Sequence, residues 1–397
     1  GFTELTTDNS AYSGESVDVV HAHLNEAGVE TILTVAGNEL FKGEDVPVNI
    51  TPGAATITDN HWQILTFNDD AYFIQKDHAA IKYDDSAGTA AVAADIPEGD
   101  CGIAAYGRLW VANITGDVQR VYWSNLLVGD DFTNGDTGSI NIAEFWPSGY
   151  DEIQALAAHN GFLIIFGKEN ILVYGGAEGN PASSLELVDT VKGIGCLARD
   201  SVQGTGTDVL WLDSSGVRSF ARTIQEKSLP IGDVSANVRT DIIRSINAET
   251  DASRIDAVYS PEESFYLILF RDQMLIYCFS TSLQDERGAM RATTWTGIVS
   301  NHATNTSFGR LLIGGTESLG VYEGYRDAGR TYNMRWFSNP FTFDSSVHLK
   351  FPKQIDFTLL AGNGGIATVF WAFDYSQSYR TKNITLASGV NVAEYGV

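Results

Sequence analysis

Cysteine is scarce in this chain of 397 residues: Cys101, Cys196 and Cys278 stand far apart, odd in number, with no CxxC pair. They point to neither a zinc site nor a disulfide-stapled secreted scaffold. Each lies in or beside an apolar run, so buried free thiols in a protein folded under reducing conditions are expected. Basic residues are scarce too, 25 Lys and Arg against 50 Asp and Glu, a net charge of −25. Sequence-independent nucleic-acid affinity comes from cations that neutralise phosphates, so a DNA-binding reading is poor. Acidic charge suits a wall past which DNA slides without sticking, and it equally suits plain solubility. No apolar stretch approaches the ~20 residues of a membrane span. Methionine is rare, at three, and long helix-forming runs are few. Gly1-Phe-Thr-Glu-Leu5 carries no signal peptide and reads as a chain entered partway.

Catalytic signatures are missing as well. There is no HExxH, no GxSxG, no Walker A, no GxGxxG opening a helix and no EF-hand loop. No catalytic, cofactor-binding or metal-binding residue is assigned, no cofactor is expected, and the chain does not read as an enzyme.

What is present is repetition. An apolar run, a polar turn, a second strand-like run, a second turn and a short strand ending in an aromatic return seven times. The clearest copy runs from Ile153 to Tyr174; relatives span Ile103 to Trp123 and Asp256 to Tyr277. Fainter copies lie at Leu24 to Phe41, Leu65 to Tyr83, Val209 to Phe220 and Phe308 to Tyr322. The closing aromatics (Phe41, Tyr83, Tyr122, Tyr174, Phe220, Tyr277 and Tyr322) fall roughly 40–57 residues apart, the period of kelch-sized or WD40-sized blades. The middle runs, such as Phe162–Phe166, Val209–Leu212 and Tyr266–Phe270, are wholly apolar, as strands buried on both faces are. The turns after them are rich in Asp, Asn and Gly, which tolerate tight hairpin geometry. A lone meander cannot bury both faces; stacking in a closed ring can. The expected fold is an all-β propeller of six or seven blades with inter-blade insertions and a C-terminal β subdomain.

The expected boundaries are 1–18 for an irregular polar arm, 19–325 for the propeller and 326–397 for a β subdomain whose last residues look cut off. Insertions are expected at Ser124–Tyr150, Leu185–Gly195 and Ile224–Arg254. In the last, Val234, Val238, Ile242, Ile243 and Ile246 have helical spacing, with Asp233 as a plausible N-cap. Such a helix serves packing or oligomer contact more often than catalysis. Strands are expected at Arg335–Phe343, Lys353–Leu360 and Thr368–Tyr375.

Among scattered polar residues, His21 and His23 share one strand face, a spacing that can hold a metal, but no further ligand is identifiable. Acidic pairs at Asp69-Asp70, Asp84-Asp85, Asp130-Asp131 and Glu262-Glu263 sit in turns, where solvated charge belongs. A glycosidase would need two such carboxylates facing a sugar. Asn134–Ser139 is similar to the Asp-box turn of sialidases, but it occurs once and without the Trp. Trp62, Trp110, Trp123, Trp211, Trp295, Trp336 and Trp371 read as core rather than sugar platforms. Sequons at Asn49, Asn113, Asn305 and Asn383 carry no meaning without a secretory context.

The unit from Ile103 to Arg222 has a distinctive order. It runs Tyr106–Ala112, Val121–Ser124, Asp131-Phe132, Asp151–Leu156, Gly161–Gly175, Gly193–Gly195, Asp208–Leu212 and Ser215–Thr223. This resembles the tail nozzle and packaged-DNA-stabilisation proteins of short-tailed bacteriophages, the podoviruses. The resemblance covers about 120 residues well and Val19 to Tyr325 loosely, and Met334 to Tyr375 fits the β segment that follows the family's propeller. It implies a virion structural protein made in the host cytoplasm: a homohexameric tube at the tail tip, below portal and adaptor proteins and beside tail fibre proteins. Genomic DNA would pass through the lumen without specific binding. The family works by shape, so no individual functional residue carries over. The alternatives are a carbohydrate-binding or glycosidase-like propeller, and another tail or baseplate hub component.

Overall fold

The computed structural model describes residues 2–5, 12–58, 61–221, 223, 233–286, 288–316, 318–324, 335, 354–361, 365–373, 376 and 378–396. They divide into two units, 1–330 and 331–397. The first is a seven-bladed β-propeller.

The apolar runs of the repeat become antiparallel hairpins, and the blades follow one another along the chain. The chain opens on a short strand, β1 (Phe2–Glu4), which belongs to the last blade. Blade 1 holds β2 (Val17–Leu24), β3 (Glu30–Ala36), β4 (Glu39–Lys42) and β5 (Val48–Asn49). Blade 2 holds β6 (Gln63–Phe67), β7 (Asp70–Gln75), β8 (His78–Asp84) and β9 (Thr89–Val92). Blade 3 comprises β10 (Gly99–Ala105), β11 (Arg108–Ile114), β12 (Asp117–Trp123) and β13 (Gly138–Asn141). In blade 4 are β14 (Ile153–His159), β15 (Phe162–Gly167), β16 (Asn170–Gly175) and β17 (Glu186–Lys192). Blade 5 shows three described strands, β18 (Gln203–Gly204), β19 (Val209–Asp213) and β20 (Gly216–Ser219). Blade 6 contains β21 (Asp256–Ser260), β22 (Phe265–Phe270), β23 (Leu275–Gln284) and β24 (Met290–Thr296).

Blade 7 is where the ring closes. Its strands β25 (His302–Asn305), β26 (Leu311–Gly314) and β27 (Leu319–Tyr322) are completed by β1. Phe2 pairs with Tyr322 and Glu4 with Gly320. The polar arm expected over 1–18 therefore supplies a blade strand, and β2 already begins at Val17. Phe2 packs against Trp295 and Tyr322, with ring centroids 6.0 and 5.4 Å away. Phe2→Ala is expected to cost about 1–2 kcal/mol through lost aromatic contact. Denaturant titration of the full chain checks this; an unchanged midpoint would show that closure does not depend on the ring.

Seven hydrophobic clusters lie one to each blade interface, the arrangement a closed ring requires. Leu33, Trp62 and Phe73 share the cluster of blades 1 and 2, while Leu109, Val111 and Ile74 join blades 2 and 3. Trp110 and Leu163 serve blades 3 and 4, and Phe166 packs on Trp211 at 5.0 Å between blades 4 and 5. Leu212 and Phe270 join blades 5 and 6, Leu267 and Ile313 blades 6 and 7, and Leu312 with Val20 closes blades 7 and 1.

Two of the three expected insertions carry outer blade strands instead, β13 and β17. The third contains the helix Arg239–Ala248, whose Ile242 and Ile246 enter the core between blades 5 and 6. That helix starts later than the spacing suggests, and Val238 precedes it without a side-chain cap. Asp233 is not its cap: it is buried, accepts the Ser235 backbone N–H at 2.8 Å and faces Arg239 at 3.6 Å. Residues 224–232 lie outside the described ones.

The second unit contains two antiparallel ribbons. β28 (Gln354–Ala361) pairs with β31 (Gly389–Gly396), and β29 (Gly365–Trp371) with β30 (Arg380–Leu386). Of the strand expected at Arg335–Phe343, only Arg335 is described, and Trp336 lies outside the described residues. No described helix is long and apolar enough to cross a membrane.

Candidate functional site at the propeller axis

The inner edge of blade 5 departs from the repeat. Between the apolar Cys196 and β18, a 3-10 turn at Arg199–Ser201 replaces the first part of an inner strand. It carries a charged pair into the middle of the ring. Arg199 is buried, and its Nε and Nη2 donate to Oδ1 and Oδ2 of Asp200 at 2.8 and 2.9 Å. Its Nη1 donates to the Asp100 backbone carbonyl of blade 3 at 2.6 Å, and His61 before blade 2 meets Asp200 Oδ2 at 3.0 Å. One guanidinium thus ties three blades across the axis. Desolvation alone would raise the Asp200 pKa, but the charge of Arg199, helped by His61, outweighs it and holds the carboxyl well below the usual carboxylate range.

Beside this network lies a cavity of about 320 Å³. His21 of blade 1, Gln63 of blade 2, Gln203 of blade 5, Asp256 of blade 6 and His302 and Asn305 of blade 7 are among its lining residues. Asp256 Oδ2 accepts the Ala303 N–H at 2.7 Å, and burial, reinforced by the charge of Asp200, pushes its pKa well up. Burial lowers His302 to about 4 and His21 to about 3. Burial therefore keeps the His21 and His302 rings neutral at mildly acidic pH and favours the protonated form of the Asp256 carboxyl.

His21 and His23 do face the same way, but they meet a hydroxyl. Thr66 Oγ1 lies 2.8 Å from His21 Nε2 and 3.1 Å from His23 Nδ1, and His23 Nε2 lies 3.2 Å from the Asp69 carbonyl. A hydroxyl can donate to one ring while accepting from the other, which suits two neutral rings. Among the described residues, no group of three or more metal-ligating side chains converges. All three cysteines are buried and free. Trp62, Trp110, Trp123 and Trp211 are buried in the blade cores.

The acidic pairs serve local ties, and not all of them lie in turns: Asp70 opens β7 and Asp84 closes β8, the two paired in the ladder. Asp84 accepts from Ser86 and Ala87, Asp131 from Thr133 and Asn134, and Asp70 and Asp130 share Lys82 at 2.8 and 3.0 Å. The Asp-box-like segment stabilises blade 3: the Asp136 carbonyl accepts from Trp123 Nε1 at 2.9 Å. Arg199, Asp200 and Asp256 escape detection in the sequence because nothing in their local context sets them apart from solvated charges. The one local signal is a charged pair directly after an apolar run where the repeat calls for a strand.

No family model matches the chain, and no curated protein matches it significantly. Among solved structures, it is similar to BamB from Moraxella catarrhalis at 10% identity, covering 77% of this chain and 84% of that one, with a TM-score of 0.45. It is also similar to the Pan2 WD40 domain of Neurospora crassa, at 8% identity over 81% and 94% of the two chains, TM-score 0.48. A third is the extracellular domain of the putative hybrid two component system BT3049 from B. thetaiotaomicron: 14% identity, 79% of this chain and 40% of that one, TM-score 0.46. At such identities the likeness concerns the propeller fold alone.

Proposed function

We propose that this protein is a structural component of a short-tailed bacteriophage tail, a nozzle subunit whose propeller is a stiff wall element in a ring-shaped conduit for DNA. The observation that carries the reading is the cross-tied axis. Arg199, Asp200, His61 and Asp100 join blades across the centre, which suits a rigid block and leaves the propeller's own axis too narrow for a duplex. The DNA path would then lie between subunits, bounded by acidic surface that repels phosphate. The charge distribution supports this: residues 1–330 contain 46 acidic and 20 basic residues. A glycosidase reading gains nothing from the axis, because Asp200 is already engaged by Arg199 and His61.

Purified full-length protein is expected to form closed rings, with six subunits as the expected number, visible by electron microscopy and by sedimentation. A chain that stays monomeric up to high micromolar concentration overturns the proposal.

A further inference from the structure

We infer that the axial cavity is a binding site for a small, uncharged, polyhydroxylated molecule: a single sugar ring or a polyol of that size. The inference stands apart from the conduit reading, because it concerns a cavity within one propeller and not the contact between copies.

Among the described residues, the cavity walls come from blades 1, 2, 5, 6 and 7. The inner strands of blades 3 and 4 instead bring Cys101, Ile103, Ile153 and Ala155 to the blade cores. The polar wall is therefore no by-product of the repeat. Buried polar groups cost stability unless they find partners. Here several side chains are each half used. Gln63 Oε1 accepts the Gly102 N–H at 2.8 Å, which leaves the Nε2 donors. Gln203 Nε2 donates to the Asp200 backbone carbonyl at 3.2 Å, which leaves Oε1. His302 Nδ1 accepts the Val20 N–H at 3.5 Å, so the neutral ring carries its proton on Nε2. Asn305 Nδ2 donates to the Tyr259 carbonyl, and its Oδ1 is buried without a partner. One bond to backbone fixes each of these wall residues, and the other polar atom remains for a ligand. Gln63 and His302 then offer donors, Gln203 and Asn305 acceptors.

The charges of the cavity are already matched. Arg199 uses its donors on Asp200 and on the Asp100 and His61 carbonyls. Both Asp200 carboxylate oxygens are taken, by Arg199 and His61. Burial favours the neutral forms of Asp256, His21 and His302. An ion entering here would give up its hydration without gaining a free counter-charge. A hydroxyl both donates and accepts, so a ligand with several hydroxyls can satisfy a mixed set of partners in one pose. Val19, Ile64 and Val202 add apolar wall for the C–H face of a ring. The cavity's 320 Å³ corresponds to about ten waters, room for one sugar ring and not for a chain of them. Asp200 has no free oxygen to act as base or nucleophile, so binding without hydrolysis is expected.

The test is calorimetry and saturation-transfer NMR on the full-length chain, with D-glucose, D-galactose, N-acetyl-D-glucosamine and myo-inositol as probes. At least one is expected to bind saturably with a millimolar Kd, as a ligand of this size allows. Glucuronate and glucosamine, charged counterparts of glucose, should bind more weakly than the best neutral probe. Gln63→Glu keeps the acceptor for Gly102 and removes the donors; Gln203→Met removes the free acceptor at similar side-chain volume. Each should weaken the neutral probe about tenfold. The two positions lie on different blades, so a folding defect in one variant, seen in its melting curve, leaves the other as the test. Absence of saturable binding by every neutral probe overturns the inference, as does unchanged affinity in the folded variants. Tighter binding of a charged probe overturns the ligand class.

Discussion

Arg199→Met is expected to cost the propeller about 3–5 kcal/mol, the usual consequence of removing one partner from a buried ion pair. The loss has several parts. Asp200 keeps His61 but loses two charge-assisted hydrogen bonds, and the Asp100 carbonyl loses its short donor. Restoring solvent is not an option at a buried position, so the stranded carboxylate bears its desolvation cost without its main partner. Arg199→Met combined with Asp200→Leu is expected to recover most of the stability, because an apolar pair of similar volume demands no desolvation. Denaturant titration of the three proteins measures both effects. A single variant within about 1 kcal/mol of the parent would show that the cross-tie contributes little.

The second large effect is a loss of stability in acid. His21, His23 and His302 all have folded pKa values below the ordinary 6.5, with burial as the leading cause. Such a group stays neutral when folded and takes up a proton when unfolded. Its contribution is therefore fully present above pH 6.5 and falls as the pH drops toward the folded value, about 4 for His302 and about 3 for His21. Each group contributes a slope of up to about 1.4 kcal/mol per pH unit in that window. Asp200, with a lowered pKa, adds a loss that begins only near the ordinary carboxylate value of about 4.

Asp256 works the other way. Its folded pKa is raised, so its contribution is fully present below about pH 4 and is lost as the pH rises toward the folded value. Asp256→Asn should thus stabilise the protein at neutral pH and steepen the decline between pH 6.5 and 4. His302→Gln should flatten that decline. Melting temperatures of the three proteins from about pH 4 to 8 test this, and an Asp256→Asn profile parallel to the parent's would contradict it.

The blades were legible because their middle strands have to be. Strands such as Phe162–Gly167 and Phe265–Phe270 pack on both faces, so burial demands an unbroken apolar run that shows in one sequence. Outer strands do not announce themselves. Glu186–Lys192 keeps a single buried residue, Val191, and reads like a polar insertion because its outward edge meets solvent. The opening residues are harder still: three residues have no periodicity to find, and their pairing with Tyr322 spans the whole propeller. Similarly, a charged pair after an apolar run is the one local hint at Arg199, and it does not say that this cation joins three blades.

Repeat period, strand character, turn chemistry and the acidic balance were thus determined by the sequence alone, because each follows from local burial or from composition. Only the tertiary structure decided that the blades number seven, that the first strand closes the last blade and that scattered charges meet at the axis. Those outcomes depend on contacts between residues far apart along the chain, which no local pattern records.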